Sequence, residues 1–202
     1  MHIDPKTSAL LLIDMQNDFL HPDGAYGQGG QTSSLMEPLP GVLKRVAGAI
    51  RDAGGWVVSS QFTLLTGKGG EPFIAPHLKE IRPFLGRGHF ESGAWGHDVI
   101  DALKPVDMKI EKVAYSAFHQ SRLQYALEKA EVDTLIVGGI VTNGGVASTV
   151  RAAHVLGYKT VVLDDGTAAF TEDAHNAAIG SLATISPVMS SSALIELVQE
   201  HS

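Results

Sequence analysis

Thr134-Leu135-Ile136-Val137 is a short run of strand-forming residues, and after Gly138 the chain continues Gly139-Ile140-Val141-Thr142-Asn143-Gly144-Gly145-Val146-Ala147-Ser148-Thr149. A continuous apolar run, rather than an alternating one, is the pattern of a parallel strand buried on both faces. The glycine pair marks a turn and residues 146–156 carry a helical pattern. Gly157 supplies a helix stop, and residues 160–163 are the next apolar run. Strand, turn, helix and strand in this order predict a piece of parallel sheet with its crossover helix.

The alternation extends in both directions. Residues 10–13 are an apolar run ending in Asp14, and residues 56–59 and 109–113 read as further strands. Leu43, Val46, Ala47 and Ile50 repeat at helical spacing after Pro40 and stop at Gly54-Gly55. Leu123, Ala126 and Leu127 share one helix face, and residues 172–182 and 193–200 complete the helices. The expected fold is α/β: a three-layer α/β/α sandwich with a mostly parallel central sheet, forming a single domain over residues 1–202. Residues 24–38 and 63–93 interrupt the alternation and read as long loops. Their place after strand ends suits the rim of a pocket, because open parallel sheets bind ligands beyond the carboxyl ends of their strands.

The 202 residues carry a formal net charge of −7, with no run of Lys and Arg longer than two. That balance argues against nucleic acid and anionic membranes as partners, since nothing would neutralise phosphate. Without cysteine there is no disulfide framework and no thiolate metal site. The start of the chain has no charged segment leading into an apolar core, so a cytoplasmic location is expected.

Asp14 and Lys112 stand at or near the ends of apolar strands, where side chains reach the sheet's carboxyl edge. For Asp14 alone, a turn or helix-capping role is the alternative. For Lys112 it is an aliphatic stem lying on apolar surface with its ammonium in water. The nine histidines are scattered, with no helical pairing to a Glu of the kind zinc sites use. The Gly-rich pieces at 27–30 and 67–70 lack the spacing of a phosphate cradle.

Three segments taken together resemble the isochorismatase-like hydrolase superfamily: Leu12-Ile13-Asp14-Met15-Gln16-Asn17-Asp18-Phe19, Glu111-Lys112-Val113-Ala114-Tyr115-Ser116-Ala117-Phe118, and the glycine turn at 139–149. They occur in the family's order, and the likeness runs from about residue 6 to 198. It implies an Asp/Lys/Cys triad in which Asp14 and Lys112 fill two places and Gly145 stands where most members carry the nucleophilic Cys. It also implies a cis peptide joining Ile140 to Val141, and a homo-oligomer, dimer or tetramer.

The superfamily's amidases need the thiolate to form an acyl-enzyme. Its isochorismatases protonate a vinyl ether and let water trap the cation, and some of them carry glycine at the Cys position. The expected activity is therefore hydrolysis of a small organic molecule by Asp14 and Lys112, of the ether type. The alternatives are an amidohydrolase scaffold whose nucleophile is missing and a non-catalytic homologue that binds a small acid. No cofactor is expected. No metal is expected either, because residues 59–65 lack the histidine of the metal-dependent amidases.

Phe19, Gln61, Arg87, Trp95 and Tyr115 are candidate substrate contacts, with Asn143 and Gly144 in the turn, where helix-terminal N–H groups favour an anion. Arg87, between Gly86 and Gly88, is the candidate for a bidentate bond to a carboxylate, the alternative being a solvated arginine.

Overall fold

The apolar run at 10–13 becomes β1 (Ser8–Ile13), from which the chain passes through α1 (Asn17–Leu20), α2 (Ala25–Gln28) and α3 (Leu39–Asp52) into β2 (Trp56–Phe62). Then come α4 (Pro76–Ile81), β3 (Met108–Lys112), α5 (Leu123–Lys129) and β4 (Thr134–Ile140). The remainder is α6 (Ala147–Val155), β5 (Lys159–Ala168), α7 (Glu172–Leu182), β6 (Val188–Met189) and α8 (Ser191–Gln199). This computed structural model describes residues 3–200. The outermost positions of the expected domain, 1, 2, 201 and 202, lie outside the described residues.

Every strand pairing is parallel, in the order β3-β2-β1-β4-β5-β6. β1 and β4 lie side by side at the centre and are buried along their whole length, which is why both read as unbroken apolar runs. Successive side chains on each strand point to opposite faces and so feed two cores. Leu10, Leu12, Ile136 and Val161 pack with Leu43, Val46 and Ile50 of α3 and Leu194 of α8. Leu11, Val58, Leu135 and Val162 pack with Leu123 and Leu127 of α5, Val150 of α6 and Leu182 of α7. Helices on both faces of one parallel sheet make the expected three-layer sandwich. Glycine is required at 139, where φ is +116° and a Cβ would lie 2.2 Å from the carbonyl oxygen of Ile13.

The strand order reverses direction between β1 and β4, and ligands bind doubly wound sheets at such a switch point. Asp14 follows β1 and the glycine turn follows β4, so the topology alone brings them together.

The two stretches expected to be loops hold four short segments of helix, α2, α4 and 3-10 turns at Ser34–Met36 and Lys68–Gly70. Elements of three to six residues are too short to show periodicity. These stretches also build a third core at the sheet's carboxyl edge, in which Tyr26, Leu64, Leu85 and Phe90 are buried against Phe19, Phe62, Phe84 and Phe170. β5 runs on to Ala168, beyond the apolar residues, because Thr167 and Ala168 still pair with Gly139 and Ile140 after a register shift. Among the described residues no helix is long and apolar enough to cross a membrane.

Candidate active site

Asp14 leaves β1 at φ +55°, with its amide donating to Ser60 O at 2.9 Å. Its carboxylate is buried, and Oδ2 lies 2.9 Å from Lys112 Nζ. Lys112 ends the edge strand β3, two strands away across β2. That span is about 9.6 Å at ordinary strand spacing. The length of a lysine side chain suits such a crossing, and Lys112 makes it while only 1% exposed. Its ammonium also donates to Ala114 O at 2.9 Å and sits 5.5 Å from the ring centroid of Phe62. The ammonium is therefore not in water, and the snorkelling alternative is set aside.

Two opposing effects act on Asp14. Burial disfavours its charged form, while the charge and hydrogen bond of Lys112 favour it; burial is the larger, so the proton affinity is raised above the ordinary value of 3.8. Asp14 Oδ1 has no hydrogen-bond partner among the described residues. A buried carboxyl oxygen with raised proton affinity and nothing bonded to it is equipped to hold or accept a proton.

The peptide joining Ile140 to Val141 is cis, as the family resemblance implies, and residues Thr142–Val146 form a single π-helical turn leading into α6. A Cβ placed on Gly145 would stand 3.1 Å from Asp14 Oδ2 and 3.0 Å from Ile13 Cγ2. Position 145 thus faces the carboxylate. Thr149 secures the turn: its buried hydroxyl donates to Gly145 O at 2.7 Å and accepts from Ala117 N at 3.0 Å. It joins the glycine turn to the loop that follows Lys112. Thr149→Val keeps the shape but leaves a buried amide unpaired, and should cost about 1–3 kcal/mol in a denaturant titration. A midpoint unchanged from the parent would mean the bridge contributes nothing.

Thr142, for which the sequence shows no partner, has one: its fully buried hydroxyl lies 2.9 Å from His175 Nδ1 on α7.

The remaining motif residues hold the frame. Gln16 accepts from Phe62 N at 2.7 Å and donates to His97 O at 2.9 Å. Asp18 accepts from Ala25 N at 3.0 Å and from Phe90 N at 2.6 Å, tying both long connections to α1. Burial holds the imidazole of His97 below its ordinary value, and its Nε2 lies 2.8 Å from Thr63 Oγ1.

The expected substrate contacts divide into three groups. Gly144 and Asn143 share the turn with Gly145, and the ring of exposed Tyr115 lies 3.5 Å from where a Cβ on Gly144 would be. Phe19 packs at a tilt between Tyr26 and Phe90, with ring centroids 4.7 and 4.5 Å away, and meets Phe62 beneath Lys112. The other three are engaged elsewhere. Gln61 is buried with its Nε2 donating to His97 O at 2.8 Å, and Trp95 is exposed, edge-on to His21. Arg87, expected to meet a carboxylate of the substrate, instead meets one of the protein's own: it pairs with Glu71 at 2.9 Å and donates to Gly69 O, on the surface. Glu71 lies within reach along the same loop, so the guanidinium is already neutralised.

Sequence reasoning missed a different arginine. Arg82 donates from Nε to Tyr26 OH at 3.3 Å, and its guanidinium carbon lies 5.8 and 5.7 Å from the ring centroids of Tyr26 and Phe170. Burial pushes the Tyr26 phenol above its ordinary value, Arg82 opposes that, and both Tyr115 and Asp14 add to it. No sequence signal pairs Tyr26, Arg82 and Phe170, which sit in separate connections.

Among the described residues no three His, Asp or Glu converge as metal ligands. A cavity of about 430 Å³ beside Thr134, His154 and Lys159 lies at the opposite, amino edge of the sheet, and the His154 and Lys159 at its mouth are exposed. The convergent chemistry is at the carboxyl edge.

A family model described as the Isochorismatase domain matches residues 8–193. A ureidoacrylate amidohydrolase, RutB, of Caulobacter segnis is 33% identical over 178 residues, covering 82% of this chain and 74% of that protein. A cysteine hydrolase structure from Pseudomonas syringae pv. phaseolicola superposes with a TM-score of 0.85 at 23% identity, covering 100% of this chain and 97% of that one. An isochorismatase-like hydrolase from Alkaliphilus metalliredigens gives a TM-score of 0.75 at 26% identity, covering 94% and 98%.

Proposed function

This chain belongs to the isochorismatase-like hydrolase family, and we propose that it cleaves a small substrate by acid–base catalysis from Asp14 and Lys112, with water in place of a side-chain nucleophile. One observation carries the reading: a buried carboxyl group bonded to Lys112 through one oxygen and unpartnered at the other. Asp14 is the proton donor and acceptor. Lys112 fixes its orientation and compensates its charge.

Position 145 bears on the bond that is cleaved. A vinyl ether needs only a proton: Asp14 protonates the terminal alkene carbon, and water adds to the resulting oxocarbenium ion. The hemiketal then releases the alcohol, and the proton shed by water returns to Asp14. No enzyme–substrate bond forms at any stage, so glycine at 145 is no obstacle.

A second reading draws on the relatives, which support C–N rather than C–O hydrolysis: the ureidoacrylate amidohydrolase is a third identical to this chain. The ether preference taken from the resemblance has no counterpart among these relatives and rests on chemistry alone. In the C–N reading Asp14 acts as general base on the attacking water. Association with further copies of the chain, in the cytoplasm, belongs to the same proposal.

Turnover of an enol-ether acid such as isochorismate, and of ureidoacrylate, by the unmodified protein and by Gly145→Cys tests both readings. A Cβ at 145 needs its neighbours to give by only tenths of an ångström. The Cys variant should therefore fold and place its sulfur beside Asp14. We expect the unmodified protein to cleave the enol ether, and the Cys variant to gain ureido hydrolysis by at least about a hundredfold. Ureido hydrolysis by the unmodified protein would instead favour the general-base route, and inactivity of the unmodified protein on both would overturn the proposal.

A further inference from the structure

We propose that Arg82 is the anion-recognition residue of this site and that the substrate is a small carboxylate. The proposal rests on Asp14 and Lys112 being the reaction centre and adds what the other end of the substrate must be. Arg82 is half-buried and forms no ion pair among the described residues, unlike Arg87. Its Nε is taken by Tyr26 OH and its Nη1 by Ile81 O at 2.8 Å, while Nη2 has no partner there. A guanidinium set against two aromatic rings is held in place and partly dehydrated, so a carboxylate arriving at its free edge gains a charge-assisted bond that water competes for poorly.

Two features put this cation at the same edge of the sheet as Asp14. Phe170 lies two residues beyond Ala168, which pairs with Ile140 at the entry to the glycine turn. Tyr26, in contact with Phe19, feels the charge of Asp14 as well as that of Arg82. The charge balance points the same way. Asp14 and Lys112 compensate each other, and the chain carries a net charge of −7. An anionic substrate is therefore repelled by the protein as a whole and needs a local cation to hold it. Arg82 supplies it.

Titration calorimetry on the full chain tests this with two matched pairs, 3-ureidopropionate against its primary amide and benzoate against benzamide. At least one acid should bind about ten- to a hundredfold more tightly than its amide. That preference should vanish in Arg82→Gln and partly return in Arg82→Lys. The acid–amide comparison on the unmodified protein requires no variant to fold. Equal affinity within both pairs, a preference that survives Arg82→Gln, or no binding of any probe up to about 10 mM would each overturn the assignment. Binding through Arg82 without turnover of any substrate would sink the hydrolase mechanism and leave the carboxylate subsite standing. Turnover of neutral substrates alone would do the reverse.

Discussion

Asp14→Asn should lower turnover by about a thousandfold, the middle of the range that general acid–base groups contribute. The amide can still accept a bond from Lys112, so the geometry of the pair largely survives while the transferable proton does not. The pH profile separates this from a folding defect. If Asp14 is the acid, activity of the unmodified protein falls as pH rises through its folded value, which burial places above 3.8. In Asp14→Asn that limb should be missing from whatever activity remains. A variant within threefold of the parent, or one that keeps the limb, would remove Asp14 from the mechanism.

The largest effect on stability is expected from Lys112→Met. Removing one partner of a buried ion pair leaves the other charge uncompensated, at a cost of about 3–5 kcal/mol. The size of the loss depends on pH in a defined direction. The folded protein holds a proton on Asp14 more tightly than the unfolded chain does. In the window between the two values the folded state binds more protons, and stability falls as pH rises through it. Without the ammonium the folded value climbs further and the window widens upward. Denaturant titrations at about pH 5 and about pH 7.5 should therefore show the greater deficit at the higher pH. Asp14→Leu combined with Lys112→Met should recover part of the loss, since apolar replacement of both partners removes the desolvation cost. A deficit independent of pH, or a double variant whose loss equals the sum of the two single losses, would mean that the two groups are not coupled.

Much of this molecule is legible in its sequence, because its central elements are dictated by burial on both faces. The apolar runs at 10–13 and 134–137 lie within the two central strands, and the helix expected over 172–182 has those bounds in the structure. The meeting of Asp14, Lys112 and Gly145 follows from placing three strand ends on one sheet edge. The contact between Tyr26 and Arg82 does not follow. Tyr26 and Arg82 are 56 residues apart in connections without periodicity, and they meet only after the aromatic core at the carboxyl edge has formed. Arg87 looks the better anion binder because glycines flank it, yet a sequence gives no sign that Glu71 has already claimed its charge. The two-residue β6 is likewise beyond any pattern, being an edge strand set by its pairing with Val162 and Leu163.

The reach of Lys112 across β2 has a consequence for how this protein can change over time. β3 is an edge strand, and the salt bridge to Asp14 fastens its last residue to the middle of the sheet. A substitution at either position therefore loosens a sheet margin as well as the candidate site, and loose margins invite pairing with other chains. Position 145 carries no such burden. A side chain can be added there with its neighbours giving by only tenths of an ångström, so the turn can be altered while the sheet and its acid–ammonium fastening stay intact.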